Sequence, residues 1–388
     1  MKKLIPALAL LLAANAPAQA ADKLKLGLIA TLSGPIGAIG LEQQRTIDLA
    51  IKDLGGKIGG LPVEVIVADD QNKPDVAVQT AVRFTKSDKP DIVIGPTASN
   101  VLLAAAPIMT RGGIFVISAN AGPSPLAGAS CNENLFVVSW QNDALDEAAG
   151  AYMTAKGIGK TYIHAVNVQA GLDHVAGFKR EYKGEVIKEQ LTPLNATDFS
   201  VDITSFSASD AGGLFFFQPG ALGINFIKQL ALANVDKSRA VVTHYNSVDS
   251  LTAPAVGDAV YGIEAAGHWF PSLDNAANRK FVAGFKAAYG RTPSAFAQQA
   301  YDAILLIDSA VRATGGKLED KDGFRAALRR ADFASTRGPF RFNNNHFPIQ
   351  SYYAGRIVKG EDGQPTEKIA VVLADHKDPY GKSCKMSW

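Results

Sequence analysis

The chain has 388 residues, 47% of them hydrophobic and 20% charged, with 39 Lys and Arg against 37 Asp and Glu. This length and hydrophobic content suit a folded protein with two full cores, and they exclude a disordered chain or a small disulfide scaffold. No basic run or basic–aromatic stripe occurs, so we expect neither nucleic acid nor an acidic membrane surface as a partner.

The first twenty residues have the pattern of a secretory signal peptide. A basic start, Met1-Lys2-Lys3, precedes an apolar run over Leu4–Asn15 and a small-residue cleavage pattern that ends at Ala20. A membrane anchor is disfavoured because this run is too short to span a bilayer. We therefore predict a signal peptide over residues 1–20 and a soluble protein exported to the periplasm. Cleavage would remove Lys2 and Lys3, which leaves 37 of the 39 basic residues against 37 acidic ones.

Three predicted strands near the start of the chain each lead into a loop of small residues that opens a helix. The strands are Leu24–Leu32, Asp91–Ile94 and Gly113–Ile117, and their loops are residues 33–35, 95–99 and 118–122. In an open α/β sheet, ligands lie beyond the carboxyl ends of the strands. The first amides of a helix have no partner inside it, and small residues let a ligand approach them. The pattern therefore predicts a crevice that suits a small anionic group.

Strand-like runs and amphipathic helix-like stretches continue to alternate along the chain. The further predicted strands are Val63–Ala68, Leu135–Ser139, Thr161–Val166, Gly184–Leu191, Leu214–Phe217, Ala240–His244, Tyr261–Ala266 and Ser351–Val358. The predicted helices are Leu41–Leu54, Val76–Lys86, Val101–Thr110, Asp143–Lys156, His174–Tyr182, Ala221–Asn234, Asn275–Tyr289 and Ser294–Thr314. This alternation predicts an α/β fold of βαβ units, on two mostly parallel sheets rather than one.

The order of these elements predicts two lobes joined by several crossovers. The break falls near residues 140–142, the helices after residue 272 return to the first lobe, and the β-rich remainder from Arg337 returns to the second. We expect an N-terminal lobe of residues 21–140 plus 272–336 and a C-terminal lobe of residues 141–271 plus 337–388. Several crossovers form a hinge of the kind that closes around a ligand.

The two cysteines, Cys131 and Cys384, leave two interpretations open. In an oxidising compartment a disulfide that fixes the C-terminal tail is favoured. A loop of that length would contribute roughly 5 kcal/mol to stability in the chain-entropy model. Two unrelated free thiols are the alternative.

Five segments together carry a family resemblance, and they are Ile29–Pro35, Val65–Gln71, Ile94–Ser99, Pro293-Ser294 and Ala300–Ala303. In this order, behind a signal peptide, they resemble the periplasmic solute-binding proteins of ABC importers, in the leucine/isoleucine/valine-binding branch. The resemblance covers essentially the whole mature chain. It implies a two-lobe, type I periplasmic binding protein that acts as a monomer. Its implied partners are a small organic ligand, a membrane permease and an ATPase.

A narrower resemblance lies in the last fifty residues. Arg337–Asn343, Asn345–Gln350 and the tail from His376 to Met386 look like the subgroup that binds aromatic carboxylates of the benzoate, hydroxybenzoate and phenylpropenoate type.

The resemblance implies which first-lobe residues hold a ligand carboxylate. In the amino-acid binders the loops that match residues 97–99 and 118–122 hold this group. Ser99 and Thr97 could donate hydroxyls, and the amides of Ala121 and Gly122 could complete the clamp. Ser33 and Asn120, in the first and third loops, complete the first-lobe candidates. Ordinary helix caps are the alternative for Thr97 and Ser99.

Two departures from the amino-acid binders favour a different ligand. Where those proteins have Thr in the third loop, this chain has Gly122. Where an acidic residue should bind the ammonium group, this chain has His244-Tyr245-Asn246-Ser247. A buried ammonium without a counter-charge costs several kcal/mol, so an α-amino acid is disfavoured and a neutral or aromatic body is favoured.

The second lobe supplies candidates for contact with the ring. They are Gln169 after the strand Thr161–Val166, Gln218 after the strand Leu214–Phe217, Tyr245 and Asn246 after the next strand, and Trp269 near a crossover. An aromatic contact adds about 0.5–1.5 kcal/mol beyond burial. For Trp269 core packing is an equal alternative. We expect only packing roles for Phe215–Phe217 and a structural role for Tyr301.

Enzyme and metal sites receive little support. Gly34, Gly37 and Gly40 do not form G-x-G-x-x-G, residues 122–126 lack the closing Gly of a nucleophile elbow, and the six His show no zinc spacing. His164 and His174 are interpreted as core or solvated residues. Triads need no sequence adjacency, so an exported hydrolase stays a remote alternative. We predict no enzyme activity, no catalytic residue, no metal and no cofactor.

The sequence therefore predicts the solute-binding component of an ABC transporter, which closes by a hinge around a small aromatic carboxylate and delivers it to a permease. The alternatives are a branched-chain or other amino-acid or amide binder, or a ligand sensor of the same fold.

Overall fold

The computed structural model describes residues 21–360 and 365–386, which form two sheets flanked by helices. The predicted signal peptide, residues 1–20, lies outside the described residues. Buried apolar side chains pack between the strands of both sheets and the helices that cover them.

The first sheet has six strands in the order β2-β3-β1-β4-β5-β6. The strands are β1 (Leu24–Ala30), β2 (Lys57–Ile58), β3 (Leu61–Asp69), β4 (Ile92–Ile94), β5 (Phe115–Ser118) and β6 (Leu135–Val137). All neighbours are parallel except β2 and β3, which form a hairpin. The connecting helices are α1 (Gly37–Asp53), α2 (Pro74–Arg83), α3 (Ser99–Arg111) and the short α4 (Ser124–Ala127).

The second sheet has eight strands in the order β12-β13-β11-β10-β9-β7-β8, with β14 also on β13. The strands are β7 (Lys160–Val166), β8 (Glu185–Thr192), β9 (Gly213–Phe217), β10 (Ala240–His244), β11 (Glu264–Gly267), β12 (Arg341–Phe342), β13 (Pro348–Lys359) and β14 (Pro365–His376). Strands β7 to β11 are parallel, and β12 to β14 add an antiparallel edge.

Eight helices follow the first four. They are α5 (Asn142–Ala155), α6 (Gln169–Glu181), α7 (Ser200–Ser207), α8 (Ala221–Leu232), α9 (Ala253–Val256), α10 (Ala276–Tyr289), α11 (Ala295–Ala313) and α12 (Lys321–Arg330). Helix α5 packs on α6 and on strands of the second sheet, whereas α11 packs against α1 and α12. The predicted α/β fold with two mostly parallel, helix-flanked sheets is confirmed. Among the described helices, none is both long enough and apolar enough to cross a membrane.

Seven of the described elements were not predicted, and most of them are short or weakly patterned; they are β2, β12, β14, α4, α7, α9 and α12. Strands β2 and β12 have two residues each, and β14 is a half-exposed edge strand. Helix α7 buries only Ile203 and Phe206, so its apolar periodicity is weak. Helix α12 was also missed, although it buries Phe324 and Leu328.

The predicted disulfide is confirmed. Cys131 and Cys384 are bonded, with their Cα atoms 5.7 Å apart, and no free cysteine occurs in the described ranges. The bond joins the loop after α4 to the C-terminal tail beyond β14.

Candidate functional site

A cavity lies between the carboxyl-terminal ends of the two sheets, where the sequence predicts a crevice. Its lining residues are Ile36, Ile39, Asn72, Thr97, Ala98, Ser99, Asn100, Asn120 and Ala121 on the side of the first sheet, Val168, Ala170, His174, Leu194, Phe217, Pro219 and His244 on the side of the second, and Trp140, Asn142 and Phe296 between them. The space open to the centre of a water-sized sphere is about 70 Å³. A single water needs roughly 10–15 Å³ on this measure, so the cavity suits a small organic molecule.

The amino-terminal end of α3 supplies hydrogen-bond donors to this cavity. The helix begins at Ser99, and the residue before it, Ala98, has no side chain that caps the helix. The Ser99 hydroxyl oxygen accepts a hydrogen bond from Asn142 Nδ2 at 3.1 Å. Its own proton has no acceptor among the described residues, so it is available to a ligand. The helix dipole and this hydroxyl together favour an anionic group.

The loop after β5 adds a second set of groups. The Ala121 carbonyl accepts from Ser118 at 2.6 Å, while the Ala121 amide makes no hydrogen bond within residues 21–360 and 365–386. The Gly122 amide instead donates to Asn142 Oδ1 at 3.2 Å. Asn120 Nδ2 donates to the Thr97 carbonyl at 2.7 Å, and Asn120 Oδ1 is buried without a partner in the described part of the chain. Of the two predicted amide donors, only that of Ala121 is free.

Thr97 lines the cavity, but its hydroxyl is engaged inside the protein. The hydroxyl donates to Gln43 Oε1 at 2.8 Å and accepts from the Thr31 amide at 3.2 Å. These contacts fix the loop that precedes α3, so Thr97 positions Ser99 rather than offering its own proton.

Asn142 links the two sides of the cavity. Its Oδ1 also accepts from Trp140 Nε1 at 3.0 Å, and its Nδ2 donates to Asp173 Oδ2 at 2.9 Å. Asp173, on α6, further accepts from the Ser124 amide at 3.1 Å. Burial, with Asp143 nearby, raises the pKa of Asp173. One amide side chain thus connects α3, the loop after β5 and α6.

A second contact across the cavity joins the loop after β1 to the start of α8. The Ala221 amide donates to the Pro35 carbonyl at 3.1 Å. Gly220, which precedes α8, has φ +57°, and a Cβ there would lie 2.8 Å from the Pro35 carbonyl oxygen. The loops of the two sheets therefore touch directly, as in the closed form of a hinged protein.

Aromatic side chains form the apolar walls. Trp140, Phe217 and Phe296 line the cavity, and each is buried. The His174 ring lies 4.0 Å from the Phe217 ring, and the His244 ring lies 4.7 Å from it, measured between centroids. Flat rings on several sides suit a planar aromatic ligand.

The two histidines that line the cavity each contact a buried polar side chain. His174 Nδ1 lies 2.5 Å from Asp146 Oδ2. His244 Nε2 lies 3.0 Å from Ser247 Oγ. Burial and the neighbouring His174 hold the pKa of His244 well below its usual value, which keeps this ring neutral. Burial raises the pKa of Asp146, and His174 opposes this shift.

No Asp, Glu, Lys or Arg of the described residues lines the cavity. A ligand carboxylate would therefore meet amides, a hydroxyl and a helix end, and a ligand ammonium group would meet no counter-charge. The described residues likewise contain no group of three His, Cys, Asp or Glu side chains that could hold a metal ion.

Four of the predicted site residues line the cavity, and they are Thr97, Ser99, Asn120 and Ala121. Seven do not. Ser33 is exposed and donates to Asp69, and Gly122 is bonded to Asn142. Gln169 begins α6, five residues earlier than predicted, and donates to Asp173 Oδ1 at 2.7 Å.

The other four residues outside the lining belong to the second sheet and the crossover that follows it. Gln218 Nε2 contacts His164 Nδ1 and the Thr192 hydroxyl, each at 3.0 Å, and Tyr245 donates to Glu367 at 2.7 Å. Asn246 is buried, and its amide atoms have no partner among the residues that the structure describes. Trp269 is buried in the core and donates to Asn278 Oδ1 at 2.7 Å, as its packing alternative predicts.

Sequence reasoning missed Trp140, Asn142, His174, Phe217 and His244. His174 was interpreted as a core or solvated residue and Phe217 was given a packing role, whereas both line the cavity. The one available signal was position, because Phe217 and His244 each end a parallel strand and Trp140 follows the strand β6.

A model of the family described as periplasmic binding protein matches residues 23–364. The chain belongs to this family. It is 27% identical to the Leu/Ile/Val-binding protein homolog 6 of Brucella melitensis, over 98% of this chain and 99% of that protein. The family binds small ligands for delivery to an ABC transporter permease, so this chain is an ABC transporter solute-binding protein of the Leu/Ile/Val-binding type. Its family and fold are those of transport proteins rather than enzymes.

Two solved structures show the same fold with aromatic acids bound. An ABC transporter solute-binding protein of R. palustris, solved in complex with benzoate, is 31% identical with a TM-score of 0.89, over 94% of this chain and 100% of that one. A solute-binding protein of Rhodopseudomonas palustris BisB5, solved with 3,4-dihydroxybenzoic acid, is 28% identical with a TM-score of 0.85, over 92% of this chain and 99% of that one. The type I fold and the recognised family are thereby confirmed.

Proposed function

We propose that this protein binds a small aromatic carboxylate of the benzoate, hydroxybenzoate or phenylpropenoate type and delivers it to its permease. The observation that carries the proposal is the lining of the cavity. It combines uncharged hydrogen-bond donors without partners at one end with aromatic walls, and no Asp, Glu, Lys or Arg among the described residues lines it.

The carboxylate is assigned to Ser99 and Ala121. The Ser99 hydroxyl proton and the Ala121 amide both lack partners among the described residues, and both line the cavity beside the first amides of α3. Hydrogen bonds from such donors to a charged acceptor contribute about 1.5–3 kcal/mol each. A helix start provides the electrostatic complement that an Arg or Lys would otherwise supply.

The ring is assigned to the space between Trp140, Phe217 and Phe296. A flat apolar body there makes offset or edge contacts worth about 0.5–1.5 kcal/mol each beyond burial. The two neighbours solved with benzoate and 3,4-dihydroxybenzoic acid support the same class of ligand.

An α-amino acid is the second candidate, because the matched curated relative is named as a Leu/Ile/Val-binding protein homologue. Where the resemblance places the ammonium-binding acid, this chain has His244-Tyr245-Asn246-Ser247, and the neutral His244 lines the cavity. Two buried carboxylates that contact lining residues are already engaged, Asp146 by His174 and Asp173 by Asn142. A buried ammonium group would thus cost several kcal/mol.

Binding proceeds by hinge closure in this proposal. The lobes are residues 21–140 plus 272–336 and residues 141–271 plus 337–388, and contacts formed only in the shut form drive closure. The shut monomer, exported by the signal peptide of residues 1–20, delivers the ligand in the periplasm to a permease powered by an ATPase. A ligand sensor would use the same closure but present the ligand to a receptor.

The test is a ligand panel on the mature protein, read by calorimetry and by thermal shift. Benzoate, 4-hydroxybenzoate and 4-hydroxycinnamate should each raise the melting temperature, because a ligand that binds only the folded state stabilises it. Leucine and isoleucine, which place an ammonium in the same cavity, should not. A response to leucine without a response to any aromatic acid would contradict the proposed ligand class and leave the family unchanged.

A further inference from the structure

We propose that the end of the cavity formed by the second sheet binds a hydroxyl group on the ring of the ligand, with His244 and His174 as its partners. This inference rests on the proposed function, because it assigns the distal end of the same aromatic carboxylate.

His244 offers an unused hydrogen-bonding atom at the cavity wall. The residue is 4% exposed, and its Nε2 is in contact with Ser247 Oγ at 3.0 Å. Its Nδ1 is buried and has no hydrogen-bond partner among the described residues. Buried polar atoms are almost always paired in folded proteins. The side chain of Asn246, which is also buried without a partner and interacts with His244, is one candidate partner, and a ligand in the cavity that His244 lines is the other.

His174 offers a second atom beside the first. Its ring is nearly parallel to that of His244, with 5.6 Å between centroids, and it also lines the cavity. Its Nδ1 lies 2.5 Å from Asp146 Oδ2, although the geometry of this contact is not that of a hydrogen bond. Because Asp146 lies at Nδ1, the nitrogen of His174 that we assign to the ligand is Nε2.

A hydroxyl fits this pair better than a second carboxylate. The carboxylate of Asp146 lies beside His174, and burial keeps His244 neutral, so a second anion would find no uncompensated positive charge. A hydroxyl can donate to one ring nitrogen and accept from the other, so it suits either tautomer of His244. The chemical class is therefore a hydroxylated aromatic acid, such as a 4-hydroxybenzoate or a 4-hydroxycinnamate, rather than an unsubstituted one.

The first test compares three acids on the wild-type protein by calorimetry, namely benzoate, 4-hydroxybenzoate and 4-methylbenzoate. The methyl compound matches the hydroxyl compound in size but leaves the histidine atoms unpaired, so it should bind at least about tenfold more weakly. Equal affinity of the three acids would overturn this inference and leave the proposed function intact. Binding of none would overturn both.

The second test removes the ring nitrogens. In His244→Leu the preference for 4-hydroxybenzoate over 4-methylbenzoate should fall to within about threefold. The matched control is His164→Leu, since His164 is equally buried but lies outside the cavity, against Asp202 and Gln218. That variant should keep the full preference. If His244→Leu also keeps the full preference for 4-hydroxybenzoate, the assignment of the hydroxyl to His244 is wrong. If His244→Leu does not fold, the comparison of the three acids on the wild-type protein tests the inference by itself.

Discussion

At the scale of single residues, the site depends on which polar atoms are already used inside the protein. Thr97 and Ser99 are two residues apart and both line the cavity, yet the hydroxyl of Thr97 is bonded to Gln43 while that of Ser99 still has a proton to donate. A sequence pattern shows both hydroxyls at the same loop and cannot show this difference, because Gln43 is on α1, far away along the chain.

Ser99→Ala should weaken benzoate binding about 10- to 100-fold. The substitution removes a hydrogen bond to a charged group, worth about 1.5–3 kcal/mol, and leaves the amides at the start of α3 in place. Calorimetric titration of wild type and variant measures the change. Ser309→Ala is the control, since Ser309 on α11 bonds only the Leu306 carbonyl and does not line the cavity. Unchanged affinity in the Ser99 variant would remove this residue from the carboxylate site.

At the scale of elements, His346 fixes the turn before β13 against β6. Its ring stacks on Phe136 with 4.0 Å between centroids, its Nδ1 lies 3.1 Å from the Leu135 carbonyl oxygen, and Arg329 donates to its Nε2 at 2.9 Å. The neutral ring satisfies both contacts, whereas a protonated Nε2 would face the guanidinium of Arg329. Burial, with Arg329 next in importance, lowers the pKa of His346 to about 3.

This lowered pKa makes stability depend on pH in a defined window. An unfolded histidine takes up a proton near pH 6.5, and the folded one does so only near pH 3. The stabilisation is therefore complete above pH 6.5 and is lost as the pH falls towards 3, by up to about 1.4 kcal/mol per pH unit. His346 has φ +61°, which Asn tolerates, so His346→Asn removes the titration without backbone strain. Urea unfolding from pH 7 to pH 4 should show a shallower loss in the variant, and parallel curves would contradict the assignment.

The sequence predicts most of these elements because their patterns are local. Strands such as β4 and β9 are continuous apolar runs, as buried parallel strands usually are. Residues that end a strand, such as His244, reach the cavity by position, but the pattern does not show which of two neighbours faces it. Tyr245, predicted as a contact, is bonded to Glu367 on β14, a strand that the pattern did not reveal. The sequence therefore predicts the elements but not which side chains reach the cavity, because contacts between segments far apart in the chain decide that.

At the scale of the whole molecule, the loops of the two sheets meet where Gly220 lies against the backbone of Pro35. Gly220 and Gly257 both have positive φ, at +57° and +69°, so an alanine is strained at either position. Only at Gly220 would the added Cβ meet an atom of the opposite sheet's loops, the Pro35 carbonyl oxygen at 2.8 Å; at Gly257 nothing lies within 4 Å.

Gly220→Ala should therefore impair closure, and Gly257→Ala should not. Both substitutions should lower stability by about 1–3 kcal/mol because of backbone strain. Only the Gly220 variant should also lose affinity for benzoate and show less compaction on ligand addition in small-angle X-ray scattering. Equal ligand-induced compaction in the two variants would show that this contact does not limit closure.

The most direct measurement is a crystal structure of the mature protein grown with benzoate. We expect one ligand in the cavity between the sheets, with its carboxylate within hydrogen-bond distance of Ser99 Oγ and the Ala121 amide and its ring between Trp140 and Phe217. A carboxylate held at His174 and His244 instead, or a ligand bound outside this cavity, would contradict it.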